Sequence, residues 1–532
     1  MSLVAPPSLG SSEDGPRRPP FIPQLPAELW MMCLSYLRRQ DIHQLLSVSR
    51  LFHQLCLEPL FEQLVMLGPS PEELTKSSVP SHLLQLESAV TSLKSLATDP
   101  TSITARHAVR RWWFRGMRKT SRTSRIDTRV FEACELLANA FTSSLSSFIG
   151  LSVLNLSFVI VQDELVETLA QLPLLQTLGL DNCEIVCAKK IQLPMVTLSI
   201  TQTFRFADPK PTGEPITILS PTRLERLTLD DNRWTPAVVS SLLFLGTFHR
   251  LTYLAILVTR DQSAAFFEFL RQCPHLLSLS FARHTHIVNL PACLPADTVP
   301  LLTSYDGPLY LAKIFASNRH IQNARIDLAN IDGARYTVGY LPMFEVVSGL
   351  SEFFEVAPGL QSLKICGSPP GLHVLRTIAS CLRELRFLDV SLRYLDLRLD
   401  DSVPPTPHFF SATERDTALR ISSTTGVEVD CWTGFPKHLP TSSQGIMCWT
   451  ILGRVTLPPR IEVFHVRSPH AQVLESVDSQ GMLSHLLIAY PRLRRLGVGH
   501  RVWVRQNGRL RRWDEYNEGL SQGEELVNSV FL

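Results

Sequence analysis

Leu175-Gln176-Thr177-Leu178-Gly179-Leu180-Asp181-Asn182-Cys183 and Leu224-Glu225-Arg226-Leu227-Thr228-Leu229-Asp230-Asp231-Asn232 share one form, L-x-x-L-x-L closed by Cys or Asn. The second and third apolar residues are two apart, so on a strand both point into one core, while the first sits in the turn before it. One such piece cannot hide its apolar edge; stacking on the next copy can. The closing Asn or Cys is suited to bonding loop backbone between neighbouring coils. Looser copies begin at Leu151, Leu251, Leu276, Ile321, Leu360, Leu385 and Leu493, and Ile461-Phe464-Val466 is another. Pro173, Pro274, Pro358 and Pro491 precede copies and punctuate the turns.

The spacing predicts an α/β fold over residues 148–500: an irregular solenoid with parallel strands on the concave face and helices or loops on the convex face. It resembles the leucine-rich repeats. The intervals lengthen near Leu276 and again after Leu385, and residues 400–458, with Pro404-Pro405 and Ser422 through Gly426, read as an insertion. In 501–532, Val502-Trp503-Val504-Arg505 and Arg509-Leu510-Arg511-Arg512-Trp513 flank Asn507-Gly508, a hairpin signal because both turn positions need positive φ. That hairpin would cover the open edge of the last coil.

Residues 21–66 carry more apolar side chains than so short a unit can bury, which implies a partner. After Pro26, Leu29, Cys33, Tyr36 and Leu37 recur at helical spacing, and Trp30 with Leu34 forms a second stripe. One stripe serves an internal core and the other must be covered. Asp41 with Gln44 reads as a variant capping box opening a second helix, Ser49 as the cap of a third, and Glu58-Pro59 as its restart. The order Leu25-Pro26-Ala27-Glu28-Leu29, Leu34-Ser35-Tyr36-Leu37, Asp41-Ile42 and Val48-Ser49-Arg50-Leu51-Phe52 resembles the F-box, the adaptor-binding module of Skp–cullin–F-box ubiquitin ligases. The resemblance implies a three-helix unit that contacts a Skp-type adaptor through Leu25, Pro26, Leu29, Leu34, Val48, Ser49 and Phe52. Cys33 and His43 depart from the residues usual at their positions. With the repeats and the Trp-containing end, the chain is similar to F-box proteins that form large families in fungi.

With 45% hydrophobic residues among 532, there is ample material for a core. Residues 1–20 are rich in Pro, Ser and charge and lack the apolar run of a signal peptide, so a disordered tail is expected. The stretch Phe148 to Val161 is broken by Asn155 and falls short of the roughly 20 residues a membrane helix needs, so no membrane association is expected. Eleven cysteines without a framework of spacings point to free thiols in a reducing compartment, cytoplasmic or nuclear.

The net charge of +2 hides an asymmetry: removing the nine cations and one acid of residues 106–129 from the 51 and 49 leaves 42 basic against 48 acidic residues. With Trp112, Trp113 and Phe114 beside them, those cations admit nucleic-acid binding. The plainer expectation is a helix within a helical linker, residues 67–147, that buries Val109, Trp112, Trp113 and Met117.

Catalytic motifs do not survive inspection. Gly519-Leu520-Ser521-Gln522-Gly523 has the letters of a nucleophile elbow, yet no apolar strand precedes it and too little chain follows. Cys183 and Cys187 lack a second pair at zinc spacing, and His284 with His286 lacks a third ligand. No catalytic residue, cofactor or metal is expected. The expected role is a non-catalytic receptor that recruits a target to a Skp-type adaptor and, through it, a cullin. The alternatives are an F-box scaffold without ubiquitin transfer, or a nucleic-acid-associated protein using 106–129. Exposed strand positions point to Asp181, Asp230 and Leu257 as a target surface for a basic or apolar segment, with Ser280, Arg325, Lys364, His465 and Arg467 further along the same face.

Overall fold

A computed structural model describes residues 26–69, 79–117, 128–187, 189, 191–201, 218–230, 239, 242–282, 285–287, 290–332, 337–340, 343–368, 372–392, 456–467, 479–498 and 501–512. Three helices open it: α1 (Ala27–Ser35), α2 (Arg39–Leu45) and α3 (Arg50–Phe61). The Pro26 carbonyl accepts from the N–H groups of Leu29 and Trp30, and the Ser49 hydroxyl caps α3 by accepting from Phe52 N–H at 3.2 Å. Two local expectations need correction. α2 starts at Arg39, so Asp41 is no cap; it lies in the first turn and pairs with Arg38 at 3.0 Å, where a carboxylate favours the positive helix end. Pro59 lies inside α3 without restarting it. Leu34, Ile42, Cys56 and Leu60 form the small core of this unit.

Only Glu62 separates α3 from the first strand. The strands are β1 (Gln63–Leu67), β2 (Arg111–Arg115), β3 (Val153–Ser157), β4 (Ile160–Gln162), β5 (Thr177–Asp181), β6 (Glu184–Val186) and β7 (Thr197–Thr201). Then follow β8 (Arg226–Asp230), β9 (Tyr253–Ile256), β10 (Ser278–Phe281), β11 (Ser304–Pro308), β12 (Asn323–Asp327), β13 (Ala329–Asp332) and β14 (Thr337–Tyr340). The last are β15 (Ser362–Ser368), β16 (Phe387–Leu392), β17 (Val463–Arg467), β18 (Arg495–Val498), β19 (Arg501–Gln506) and β20 (Arg509–Arg512). Sixteen of them make one sheet, in chain order from β1 to β20, omitting the small pairs β4 with β6 and β13 with β14. Neighbours are parallel up to β18. With helices such as Ser263–Arg271, Met343–Val356 and Leu372–Cys381 between strands, this is an α/β solenoid.

Every quoted copy of the pattern lands in register: Leu178 and Leu180, Leu227 and Leu229, Leu363 and Ile365, and Phe464 and Val466 are core pairs on their strands. Cys183 bonds as its pattern position suggests, its thiol donating to the Leu156 carbonyl of the preceding coil at 3.3 Å, and burial pushes that thiol up to about 12. Four further coils use the same register with other residues: Phe61-Leu64-Met66, Val109-Trp112-Phe114, Met195-Leu198-Ile200 and Leu302-Tyr305-Gly307.

The sheet therefore begins at β1, inside residues 21–66, and not at residue 148. The helix expected across 106–129 is replaced over Arg111–Arg115 by β2. Trp112 and Phe114 are buried and Trp113 between them is half-exposed, which is strand alternation. Three residues of helical spacing cannot be told from a coil whose first core residue sits three before the second. Helices Val79–Thr98 and Thr128–Leu145 occupy the rest of the expected linker and serve as crossovers between the first three strands. Phe61 packs against both the small core and the long one, and the Glu62 carbonyl accepts from Arg110 and Arg111 N–H, so α3 is fused to the first coil.

At the far end, Asn507 (φ 49°) and Gly508 (φ 80°) turn β19 into β20 as a two-residue hairpin, and β19 pairs antiparallel with β18. Residues 1–20, 400–455 and 513–532 lie outside the described part. Leu457, within the expected insertion, belongs to the core, its N–H donating to the Tyr490 hydroxyl at 2.8 Å.

Candidate functional site

The two stripes of α1 part company. Trp30 sets its ring edge-on to Phe52 of α3 at 5.0 Å and Leu34 is buried, whereas Leu29, Cys33, Tyr36 and Leu37 face solvent. Met32 (60% exposed), Tyr36 (63%), Val48 (61%), Leu29, Leu37 and Leu51 make an apolar surface on a unit of three short helices. An exposed apolar surface of this density marks an interaction site.

Among the residues that the resemblance marks for adaptor contact, Pro26, Leu29, Val48 and Ser49 are exposed and Phe52 is half-buried under Trp30. Leu25 lies outside the described residues. Leu34 is corrected: four positions after Trp30, it points at α3 and is a core residue. Met32, Tyr36, Leu37 and Leu51 join the exposed surface; Tyr36 and Leu37 were legible from their spacing with Leu29, Met32 and Leu51 only from the packing.

The open face of the sheet carries the first, third and fifth residues of the parallel strands. Asp181, Thr201 and Asp230 lie side by side in register on β5, β7 and β8. Asp181 already accepts from Thr201 Oγ1 at 3.3 Å and from Asn182 Nδ2 at 3.0 Å. Leu257 is corrected: β9 ends at Ile256, the chain turns inward, and Leu257 is 4% exposed, so it forms no patch with the two aspartates.

Farther along, Asp306, Arg325, Lys364, Asp389 and His465 hold the third positions of β11, β12, β15, β16 and β17 in one register row. Arg325 lies 3.5 Å from Asp306, which also accepts from Ser280 at 3.2 Å. Arg467 lies 2.9 Å from Asp389, whose side chain is 1% exposed. Burial raises the Asp389 carboxyl above its ordinary value, with Arg467 and Lys364 opposing. His465, expected in solvent, is buried; its ring lies over Gly497, where an added Cβ would meet it at 2.6 Å. Burial, with Arg495, Arg467 and Lys364 nearby, lowers His465 to about 4, so the imidazole is neutral at pH 7. No local motif announces this row, because only the register of separate coils assembles it.

The F-box domain model matches residues 22–64. The chain carries an F-box. The match spans α1 to α3 and reaches the start of β1, so the F-box ends inside the first coil of the sheet. No curated protein matches the sequence. Among solved structures, an internalin from Listeria monocytogenes is similar at 16% identity, covering 58% of this chain and 88% of its own, with a TM-score of 0.24. The repeat reading rests on this chain's own strand register.

Trp112 and Phe114 of the basic segment behind the F-box are absorbed by packing, and Arg118, Lys119, Arg122 and Arg125 lie outside the described residues. Trp112 meets Phe141 and Phe148 edge-on at 4.9 and 4.7 Å, and Phe114 stacks on Phe141 at 4.1 Å. Arg106 donates to the Leu96 and Asp99 carbonyls, both at 3.3 Å, Arg110 donates to the Gly150 carbonyl at 3.2 Å, and Arg111 approaches Glu62 at 4.0 Å. Among the described residues, no group of three or more His, Cys, Asp or Glu is placed to hold a metal, and no helix is long and apolar enough to cross a membrane. Residues 519–523 and His284 lie outside the described part.

Proposed function

We propose that this chain is the substrate-recognition subunit of a Skp–cullin–F-box ubiquitin ligase, cytoplasmic or nuclear, its F-box bound to a Skp-type adaptor and its coils to the target. The observation that carries this reading is the row of apolar side chains left exposed on the F-box: Leu29, Met32, Tyr36, Leu37, Val48 and Leu51. Covering a Leu or Val contributes roughly 1.5–3 kcal/mol, so a handful suffices for a stable complex. F-box proteins are generally non-catalytic adaptors, and the contribution here is proximity, holding a target near a reactive group that another subunit supplies. The direct run of α3 into β1, with Phe61 in both cores, supports a fixed distance between adaptor and target. A scaffold without ubiquitin transfer would share the adaptor contact. Nucleic-acid binding through 106–129 is not favoured, since Trp112 and Phe114 are core residues.

The test is co-expression of the full chain with a Skp-type adaptor, comparing wild type with Leu29→Glu plus Val48→Glu. Adaptor capture should be lost with the melting temperature unchanged, and undiminished capture would overturn the reading. Ubiquitin transfer to a co-purifying protein, dependent on those two residues, separates receptor from scaffold.

A further inference from the structure

On three successive strands of the main sheet, a buried polar atom lacks a hydrogen-bond partner: Oδ1 of Asp389 on β16, Nε2 of His465 on β17 and Nε of Arg495 on β18. Buried polar groups are ordinarily bonded, and each that is not calls for a ligand, an ion or a water. Here the three sit together at one end of the open face. Across β12, β15, β16, β17 and β18 that face carries Arg325, Lys364, Arg467 and Arg495 against Asp327 and Asp389. The face of β3, β5, β7 and β8 instead carries Asp181 and Asp230 against Arg226, among Ser, Thr, Asn and Gly. The sheet therefore has a cationic end with unfilled bonding capacity and an opposite end of small, weakly acidic character.

We propose that the cationic end binds an acidic, extended protein segment; as the identity of the recruited target, this rests on the receptor reading above. A ligand carboxylate can accept from Arg495 Nε–H, from Lys364 and from His465 in its Nε2–H tautomer, and such charge-assisted bonds are the strong ones. Oδ1 of Asp389 needs a donor, which a carboxylate cannot be and a backbone N–H of the same segment can; its Oδ2 is held by Arg467. Neighbouring strands are about 4.8 Å apart, so Arg325, Lys364, Arg467 and Arg495 span about 19 Å from β12 to β18, and four acids at alternate positions of an extended peptide, about 6.8 Å apart, span about 20 Å. A nucleic-acid backbone fits less well, because Asp327 and Asp389 stand among the cations and Asp389 asks for a donor that phosphates lack.

The probe is a fluorescent alternating Glu-Ser peptide titrated against the full chain, with a Lys-Ser peptide and a single-stranded oligonucleotide as comparators. The Glu-Ser peptide should bind, weaken with salt, and lose about tenfold or more in affinity on Lys364→Gln with Arg495→Gln, while Asp181→Lys changes nothing. Should the double variant fold poorly, Lys364→Gln alone, at a half-buried position, carries the test with a loss of several-fold. Equal binding by wild type and variants, equal loss from Asp181→Lys, or oligonucleotide binding as tight as the peptide's would each overturn the proposal. Adaptor capture measured on the same samples separates the two readings: peptide binding without capture removes the receptor, and capture without peptide binding removes the acidic site.

Discussion

Arg467 on β17 reaches across to β16 and places Nη2 2.9 Å from Oδ2 of Asp389, a carboxylate almost fully buried while the arginine stays half-exposed. The pair is diagonal, since Asp389 faces His465 in register and Arg467 faces Ser391. Removing the arginine strands a buried charge. Arg467→Ala should cost about 1–3 kcal/mol of stability in urea unfolding, and Arg467→Lys less. A cost below about 0.5 kcal/mol would show that the carboxylate is stabilised by other groups.

Burial holds the His465 imidazole neutral well below the ordinary histidine value. Its folded value of about 4 lies below the ordinary 6.5, so between those values the unfolded chain binds a proton that the folded chain refuses. Stability is thus full above about pH 6.5 and is lost as pH falls toward 4. The loss should reach about 2 kcal/mol by pH 5, and His465→Gln should remove that part of the pH dependence. Asp389, opposite His465 in register, has its own carboxyl raised by burial and shifts stability the other way on acidification, so the difference between wild type and His465→Gln carries the test. Identical pH profiles for wild type and variant would contradict the buried neutral ring.

Leu34 and Tyr36 should separate stability from adaptor binding. Leu34→Ala removes a buried core residue and should cost about 2–5 kcal/mol. Tyr36→Ala, at a 63% exposed position, should leave the melting temperature within a degree or so and weaken adaptor affinity by about tenfold. The reverse pattern would mean that α1 is rotated.

Leu227 and its neighbour test the register of the repeat. Leu227→Ala should cost about 2–5 kcal/mol, and Thr228→Ala, on the open face, within about 0.5 kcal/mol.

Arg319 ties a turn together: buried itself, it donates to the carbonyls of Pro295 at 2.9 Å, Thr298 at 3.1 Å and Ser317. A lysine has no planar fork for these separate acceptors, so Arg319→Lys should destabilise by about 1–3 kcal/mol. Retention of wild-type stability by the lysine variant would show that the carbonyls find other donors.

The F-box helices, the ten quoted copies of the repeat and the closing hairpin were legible in the sequence, because each depends on residues within a few positions of one another: apolar spacing, a capping serine, an Asn-Gly turn. The coils at Phe61, Val109, Met195 and Leu302, each with Trp, Phe, Tyr or Met at a core position, depart from the leucine pattern, for the pattern asks for leucine and packing asks only for bulk. That substitution hid β2 and made a basic strand read as a linker helix.

What tertiary structure decided is which of two legible alternatives is real. Both stripes of α1 are apolar in the sequence; only the docking of α3 against Trp30 and Leu34 leaves Leu29 and Tyr36 outside. Asp389, His465 and Arg495 are ordinary polar residues in their own segments, and Leu257 is an ordinary strand-end leucine. Parallel register brings the first three together and the end of β9 turns the last inward, because burial and pairing depend on neighbours contributed by other coils. Local chemistry determined the unit that repeats; the stacking of units determined where charge, unpartnered buried polar atoms and exposed apolar surface come to lie.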